Sequence, residues 1–262
     1  MQASVYLDRR TFIHRLDPRG KMAALTSFFI IALAFNHPAY AGATWAAVLV
    51  VAAASRSLRN LWRIRGLLAL LFVFAAVLWP FFVKGPTPLV HLGPLAASRE
   101  SLLYGLAVGL RLSAMVAAGM VFMSTTMVEE FAHGLRRLGL PYAVSFALAA
   151  AVRLVPTFLG SSASVVEAQK SRGLDLESGN LLARLRKHVP VLVPVFVTAI
   201  RSTDLTAMAL ESKGFGAHQR RSYYLELRMH ALDWACVALA LAAAAAAVYA
   251  RLSGYGEVLP RL

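Results

Sequence analysis

The chain has 262 residues and a mass of 28.3 kDa, with 58% hydrophobic residues, 15% charged residues and a mean hydropathy of +0.61. Soluble domains hold roughly 45–50% apolar and about 25% charged residues, so a water-soluble globule and a disordered chain are both excluded. The 27 basic residues against 13 acidic ones give a net charge of +14, which a membrane chain with basic cytoplasmic loops explains without nucleic acid. The single cysteine, Cys236, excludes an intrachain disulfide and any cysteine-built zinc or iron–sulfur site. The composition is that of an integral membrane protein, and the apolar runs that follow read as the spanning helices of an all-α one.

Residues 1–21 are polar and carry Arg9, Arg10, Arg15, Arg19 and Lys21, too long and charged a lead for a cleaved signal peptide. Residues 22–54 are almost wholly apolar, broken by Asn36-His37-Pro38, and are too many for one span of about 20 residues. The run 55–65, SRSLRNLWRIR, holds four arginines. Both flanks therefore belong on the cytoplasmic side with an even number of crossings between them, which predicts a hairpin of 22–36 and 39–54. A third span follows at 66–83. Residues 84–100, with Pro86, Pro88 and Pro94, read as an outside loop. A fourth span covers 101–123 and a fifth 231–250, which leaves 251–262 outside.

By parity, residues 124–230 face the cytoplasm, and they contain thirteen of the basic residues. The expected organisation is thus five spans, with 1–123 holding the N-terminal segment and four of them, 124–230 a helical cytoplasmic region, and 231–262 the last span and tail. Two stretches of the cytoplasmic region, 143–159 and 189–200, are apolar. The first contains Arg153 and Pro156; the second is short and contains Pro190 and Pro194. A mid-span arginine is costly and a dozen residues cannot cross, so both are expected to pack on or under the membrane.

The cytoplasmic region repeats itself. Leu154-Val155-Pro156-Thr157-Phe158 recurs as Leu192-Val193-Pro194-Val195-Phe196, and Ser171-Arg172-Gly173 recurs as Ser212-Lys213-Gly214. Glu167-Ala168-Gln169 leads into the first ending and Ala209-Leu210-Glu211 into the second. Each unit reads as a helix started at its proline and about 25 Å long, ending in a cation with glycine just past it. One such ending is ordinary capping, because a cation complements the helix dipole and glycine takes the position after the last turn. Its doubling after a shared start points to a duplicated working part. The small serine lets a partner's backbone approach while the cation reaches a carboxylate or carbonyl.

Taken together these elements resemble the transmembrane (T) component of energy-coupling factor transporters, the EcfT/CbiQ type. The resemblance rests on His14-Arg15-Leu16-Asp17-Pro18-Arg19-Gly20-Lys21, on Thr125-Thr126, on Leu138-Gly139-Leu140-Pro141 and on Arg153-Leu154-Val155-Pro156, in that order. AQKSRG and ALESKGFG then stand where the family has two Ala-Arg-Gly signatures. The resemblance implies a non-catalytic subunit of a prokaryotic plasma-membrane importer with its N-terminus in the cytoplasm. Its partners would be two ATP-binding-cassette ATPase subunits and one small substrate-binding membrane (S) component, besides lipid and without nucleic acid. Ser171, Arg172, Gly173, Ser212, Lys213 and Gly214 would form the ATPase-coupling tips, supported by Arg153, Pro156, Pro194 and Glu211. The departures are Ser171 and Ser212 for alanine and Lys213 for arginine; lysine keeps the charge but loses the planar two-point contact. The transported substrate, a vitamin such as riboflavin, biotin or thiamin or a metal ion such as cobalt or nickel, is left open.

No catalytic, cofactor or metal residue is expected. Gly20-Lys21-Met22 lacks the surroundings of a phosphate-binding loop, so any ATP is bound by another polypeptide. The histidines 14, 37, 91, 133, 188, 218 and 230 lack ligand spacing, and Glu129-Glu130 point apart on a helix. Arg111, halfway along the fourth apolar run, is a candidate S-component contact or a cation paired with a backbone carbonyl. Gly105, Gly109, Ser113 and Gly119 mark close helix contact, with another subunit or within this chain. Trp62 and Trp79 read as interfacial anchors. A self-contained channel or secondary carrier would need a polar midplane path, and a membrane enzyme a His/Asp/Glu cluster; Arg111 is all the spans offer.

Overall fold

The computed structural model describes residues 11–82, 88–92, 95–176, 178, 180–217 and 229–255. They fold into eleven helices and one short hairpin: α1 (Phe12–Arg15), α2 (Pro18–Ala34), α3 (Pro38–Ala54), α4 (Leu58–Arg63), α5 (Arg65–Phe82), β1 (Pro88–Leu92), β2 (Leu95–Ser98), α6 (Arg99–Thr125), α7 (Val128–Arg137), α8 (Tyr142–Ser171), α9 (Leu181–Lys187), α10 (Val189–Ser212) and α11 (Ala231–Leu252). The chain divides into two units: 1–140 with 227–262, and 141–226. Within the first unit α7 folds back onto α2. Gly134 lies so close to Pro18 and Met22 that a Cβ there would stand 2.9 Å from Met22 Cε.

In the first unit, α2, α3, α5, α6 and α11 form a bundle built on small residues. Ala52, Ala75, Ala107, Ala114 and Ala117 are buried, while Leu70, Phe74, Val77 and Leu239 stand exposed on the outer faces. That inversion of a soluble protein suits a bundle solvated by acyl chains, where helices gain by close approach rather than by hiding apolar surface. Gly105 and Gly109 seat α6 on α5: a Cβ at Gly109 would lie 2.8 Å from the Phe72 carbonyl, and one at Gly105 2.9 Å from Pro80 Cδ. Ser113 accepts a 2.7 Å bond from Trp45 Nε1 on α3. Three of the four small positions on α6 thus serve packing inside the chain, and only Gly119 faces open space. One core gathers Val48, Ala52, Leu61, Leu68, Ala117 and Val121; a second joins Ala34 and Phe35 to Ala247 on α11.

The 84–100 loop is a more ordered feature than its prolines imply. Among its described residues β1 and β2 pair antiparallel, with Leu92 opposite Leu95 and Pro88 opposite Ser98. Ser98 then caps α6 by accepting from Ser101 N at 3.2 Å, while Ser101 Oγ accepts from Ser98 N at 2.9 Å. The architecture remains all-α, with this hairpin as an appendage.

In the second unit two expectations are corrected. Pro156 and Pro194 do not start their helices but lie inside α8 and α10, which run for 30 and 24 residues. Proline is compatible with a first turn and with a helix interior whose lost bond is replaced elsewhere, so the local pattern is the same in both cases. The length argument against a crossing also falls: among the described residues five helical runs are long and apolar enough to span by length and composition, and they include Tyr142–Ser171 and Arg184–Ser212 beside α5, α6 and α11. The 17-residue α3 is a shorter apolar helix.

Candidate functional site

The two signature endings share one backbone geometry. α8 ends at Ser171 with Arg172 as its C-cap; Gly173 takes φ +87° and Leu174 follows. Gly173 N donates to Lys170 O at 3.0 Å and Leu174 N to Gln169 O at 3.0 Å. At the other tip Lys213 caps α10, Gly214 takes φ +72°, and the N–H groups of Gly214 and Phe215 donate to Glu211 O and Leu210 O at 2.8 and 2.9 Å. This double closure satisfies the last carbonyls and requires the left-handed conformation that glycine adopts without steric penalty. The same closure ends α7 at Gly139 and α11 at Gly254. Glycine and closure are therefore general capping chemistry here, and what sets the two tips apart is the small serine and the exposed cation before the glycine.

The serines behave as alanines. Ser171 Oγ donates to Glu167 O at 3.0 Å and Ser212 Oγ to Ala209 O at 3.0 Å, so each hydroxyl is spent on its own helix. Arg172 and Lys213 are exposed, as are Arg153, Pro156 and Glu211, while Pro194 is half-buried.

The tips lie far apart. Phe215, just past the end of α10, packs its ring 4.5 Å from Phe146 and 5.9 Å from Tyr142 in the first turns of α8. At the other end, Gln169 Nε2 donates to Pro190 O at 3.4 Å. The end of each helix thus meets the beginning of the other, so α8 and α10 are antiparallel and their tips stand about 35 Å apart at 1.5 Å per residue. The Gln169 bond has a covalent cause. Pro194 has no N–H for the carbonyl four residues back, Pro190 O, and a side chain of the other helix takes its place.

A buried polar knot in the first unit was not legible as a unit in the sequence. Asp233, at the start of α11, accepts from Asp17 N at 2.9 Å and from His230 N at 2.8 Å. Lys21 Nζ donates to Thr125 O at 2.7 Å and to His14 O at 3.1 Å, within the field of Glu130, Asp17 and Asp233. Asp17, Lys21, Thr125, Thr126 and Asp233 are all buried. The knot fastens the starts of α2 and α11 to the end of α6. Charges lying just outside apolar runs were its signal, but nothing local says that they meet. Glu130 Oε2 accepts from Met127 N at 3.4 Å, so it caps α7 rather than pairing with Glu129 for chemistry.

Arg111 lies 14 residues before Thr125, and Phe35 lies 14 residues after Lys21; Arg111 Nη2 meets Phe35 O and, at 2.7 Å, Asn36 Oδ1. Although midway along α6, it is level with the end of the shorter α2. Arg251 donates to the neighbouring Ala34 O. Two guanidinium groups thus sit on the negative end of the α2 dipole. Among the described residues, no group of three or more His, Cys, Asp and Glu is arranged to hold a metal ion.

Comparison with known proteins agrees with this anatomy. A profile of the CbiQ family, described as cobalt transport protein, matches residues 9–224. The energy-coupling factor transporter transmembrane protein EcfT of Thermosediminibacter oceani is 32% identical over 241 residues, covering 88% of this chain and 90% of that one. The EcfT of Heliobacterium modesticaldum is 33% identical over 234 residues, covering 85% and 87%. A Bifidobacterium longum protein named as an ABC transporter ATP-binding protein is 32% identical over 231 residues, 84% of this chain but 30% of its own length. The match spans both the helical bundle and the two signature tips, and the chain belongs to the EcfT/CbiQ family, the transmembrane T components of energy-coupling factor transporters.

Proposed function

We propose that this T component transmits ATP-driven motion from two ATP-binding-cassette ATPase subunits to a substrate-binding S component that imports a vitamin or a transition-metal ion. The observation that carries the reading is the antiparallel pair α8/α10, which presents two like tips about 35 Å apart at 1.5 Å per residue. Two equivalent sites turned end to end match a partner that is itself a two-fold pair. The relative named as an ATP-binding protein supports an ATPase partner.

In this mechanism each ATPase subunit receives one tip in a groove. Serine permits close backbone approach, and Arg172 or Lys213 pairs with carboxylate or carbonyl oxygens inside. When ATP draws the ATPases together, the tips are carried with them, and α8 and α10 shift as stiff rods. The chain performs no hydrolysis. Although α8 and α10 are long enough to span, they lie with the rest of 124–230 and the N-terminus on the cytoplasmic side, because an antiparallel pair that crossed would carry its two tips to opposite faces. The bundle sits in the plasma membrane of a prokaryotic cell. Arg111 bears on the S component through the α2–α3 turn that it holds at Phe35 and Asn36, rather than by its own reach.

ATP-dependent uptake in proteoliposomes tests this directly. Arg172→Glu places a carboxylate where a cation is required and is expected to reduce uptake at least about 100-fold, the loss of a charge-assisted contact plus like-charge repulsion. Uptake at the wild-type rate, with the variant inserted in normal amount, would remove Arg172 from the coupling path.

A further inference from the structure

The corner between α3 and α5 carries a feature that energy coupling does not use. Between Asp17 and Glu100 the sequence has no acidic residue, yet Arg56, Arg59, Arg63 and Arg65 fall within ten positions. α3 ends with the same double closure as the signature helices: Arg56 N donates to Ala53 O at 3.0 Å and Ser57 N to Ala52 O at 2.9 Å. At Gly139, Gly173, Gly214 and Gly254 the left-handed position is glycine; here it is Arg56, at φ +55°, the only non-glycine residue with positive φ among those described. An arginine there carries a steric cost that glycine avoids, and such strain persists where the surroundings over-determine it.

The surroundings do so. Ser55 and Ser57 are buried and share a 2.8 Å hydroxyl–hydroxyl bond, and Asn60 Nδ2 donates to Ser124 Oγ on α6 at 2.9 Å. This buried clip fixes the backbone and leaves the four arginines on the surface. Arg59 and Arg63 are one turn apart, as are the exposed Leu58 and Trp62 on the adjoining stripe (Trp62 is 67% exposed). The Arg65 guanidinium carbon lies 4.3 Å from the centre of the Trp62 ring. None of the four forms an ion pair with a described residue. The patch also continues the lipid-facing belt, since Val50 and Val51 precede it on α3 and Leu67 and Leu70 follow it on α5, all exposed.

We propose that this corner is a binding site for the headgroup of an anionic phospholipid, in the leaflet at that end of the bundle. Leu58 and Trp62 enter the headgroup–acyl boundary, and the arginine forks close on phosphate oxygens. A general excess of cations on one side of a membrane would need neither a strained Arg56 nor a buried clip to hold it. A loop built for membrane orientation alone would be served as well by glycine at 56 with three arginines remaining. Through Asn60 and Ser124 the occupied corner also steadies the end of α6, next to the carbonyl that receives Lys21.

The test is native mass spectrometry of the full chain released from phosphatidylcholine nanodiscs doped with phosphatidylglycerol. Wild type is expected to retain phosphatidylglycerol in preference to phosphatidylcholine. Each arginine-to-glutamine change at 56, 59, 63 or 65 should weaken that retention by about fivefold, whereas Arg184→Gln and Arg186→Gln should not. Arg56→Gly separates binding from folding: it relieves the strained backbone, so it should melt no lower than wild type while retaining less phosphatidylglycerol. Equal retention of the two lipids, retention unchanged in the arginine variants, or displacement of the lipid by inorganic phosphate at equal concentration would each overturn the proposal.

Discussion

At the scale of single residues, the signature tips show how much a helix end can hold without being a site. Among the described residues four helix endings close on a left-handed glycine, and two of these expose a cation beside a small residue. The replacement of alanine by serine is quiet because each hydroxyl bonds back to its own helix. Ser171→Ala and Ser212→Ala should therefore change thermal stability by less than about 0.5 kcal/mol and leave ATPase association unchanged, whereas Ser171→Leu should abolish association. Lys213→Arg restores a planar fork at the second tip and should leave uptake equal or raise it. A severe loss in that variant, measured in the same uptake assay, would show that the second tip is not the counterpart of the first. These residues were legible in the sequence because capping chemistry is local: cation, glycine and spacing are all read from a few adjacent positions. Arg111 was only half legible. Its type and depth in an apolar run stood out, but its partners at Phe35 and Asn36 depend on α2 being ten residues shorter than α6.

At the scale of elements, the proline positions were the ambiguous ones. Pro156 and Pro194 mark the repeat but not the helix starts, since α8 begins after Pro141 and α10 at Val189. A proline interior to a helix leaves a carbonyl four residues back without its donor, and the repair is non-local. At Pro194 it comes from Gln169 of α8, which no reading of α10 alone reveals. Removing that donor by Gln169→Leu should cost up to about 1 kcal/mol in thermal unfolding of the detergent-solubilised protein. In a Pro194→Ala background the backbone N–H returns, and Gln169→Leu should then cost close to nothing. The same penalty in both backgrounds would mean that the bond does not link the two helices. The buried knot of Asp17, Lys21 and Asp233 was invisible for a similar reason: its members are 216 residues apart at the extreme, and only the parallel course of α2 and α11 brings them together.

At the scale of the whole molecule, the bundle's directions follow from a few bonds. Asp17 meets Asp233 at one end of α2, and Ala34 meets Arg251 at the other, so α2 and α11 run the same way. α6 runs against them, with Thr125 at Lys21 and Arg111 at Phe35. The arginine-rich corner lies at the Thr125 end, through Asn60 and Ser124. The proposed topology, which follows the positive-inside rule, turns that end to the cytoplasm. In a Cys236→Ala background, Tyr255→Cys should react with an impermeant maleimide on intact cells, and Arg137→Cys only after permeabilisation. The reverse pattern would invert the topology.

The proposed seating of two ATPase subunits on the two tips of one T component fixes the stoichiometry of the intact complex. Native mass spectrometry of the affinity-purified complex should show one copy of this chain with two ABC ATPase subunits and a small membrane partner. With Arg172→Glu and Lys213→Glu combined, the same purification should yield the folded chain without ATPases. ATPases retained by the double variant, or a wild-type chain that carries none, would contradict the account.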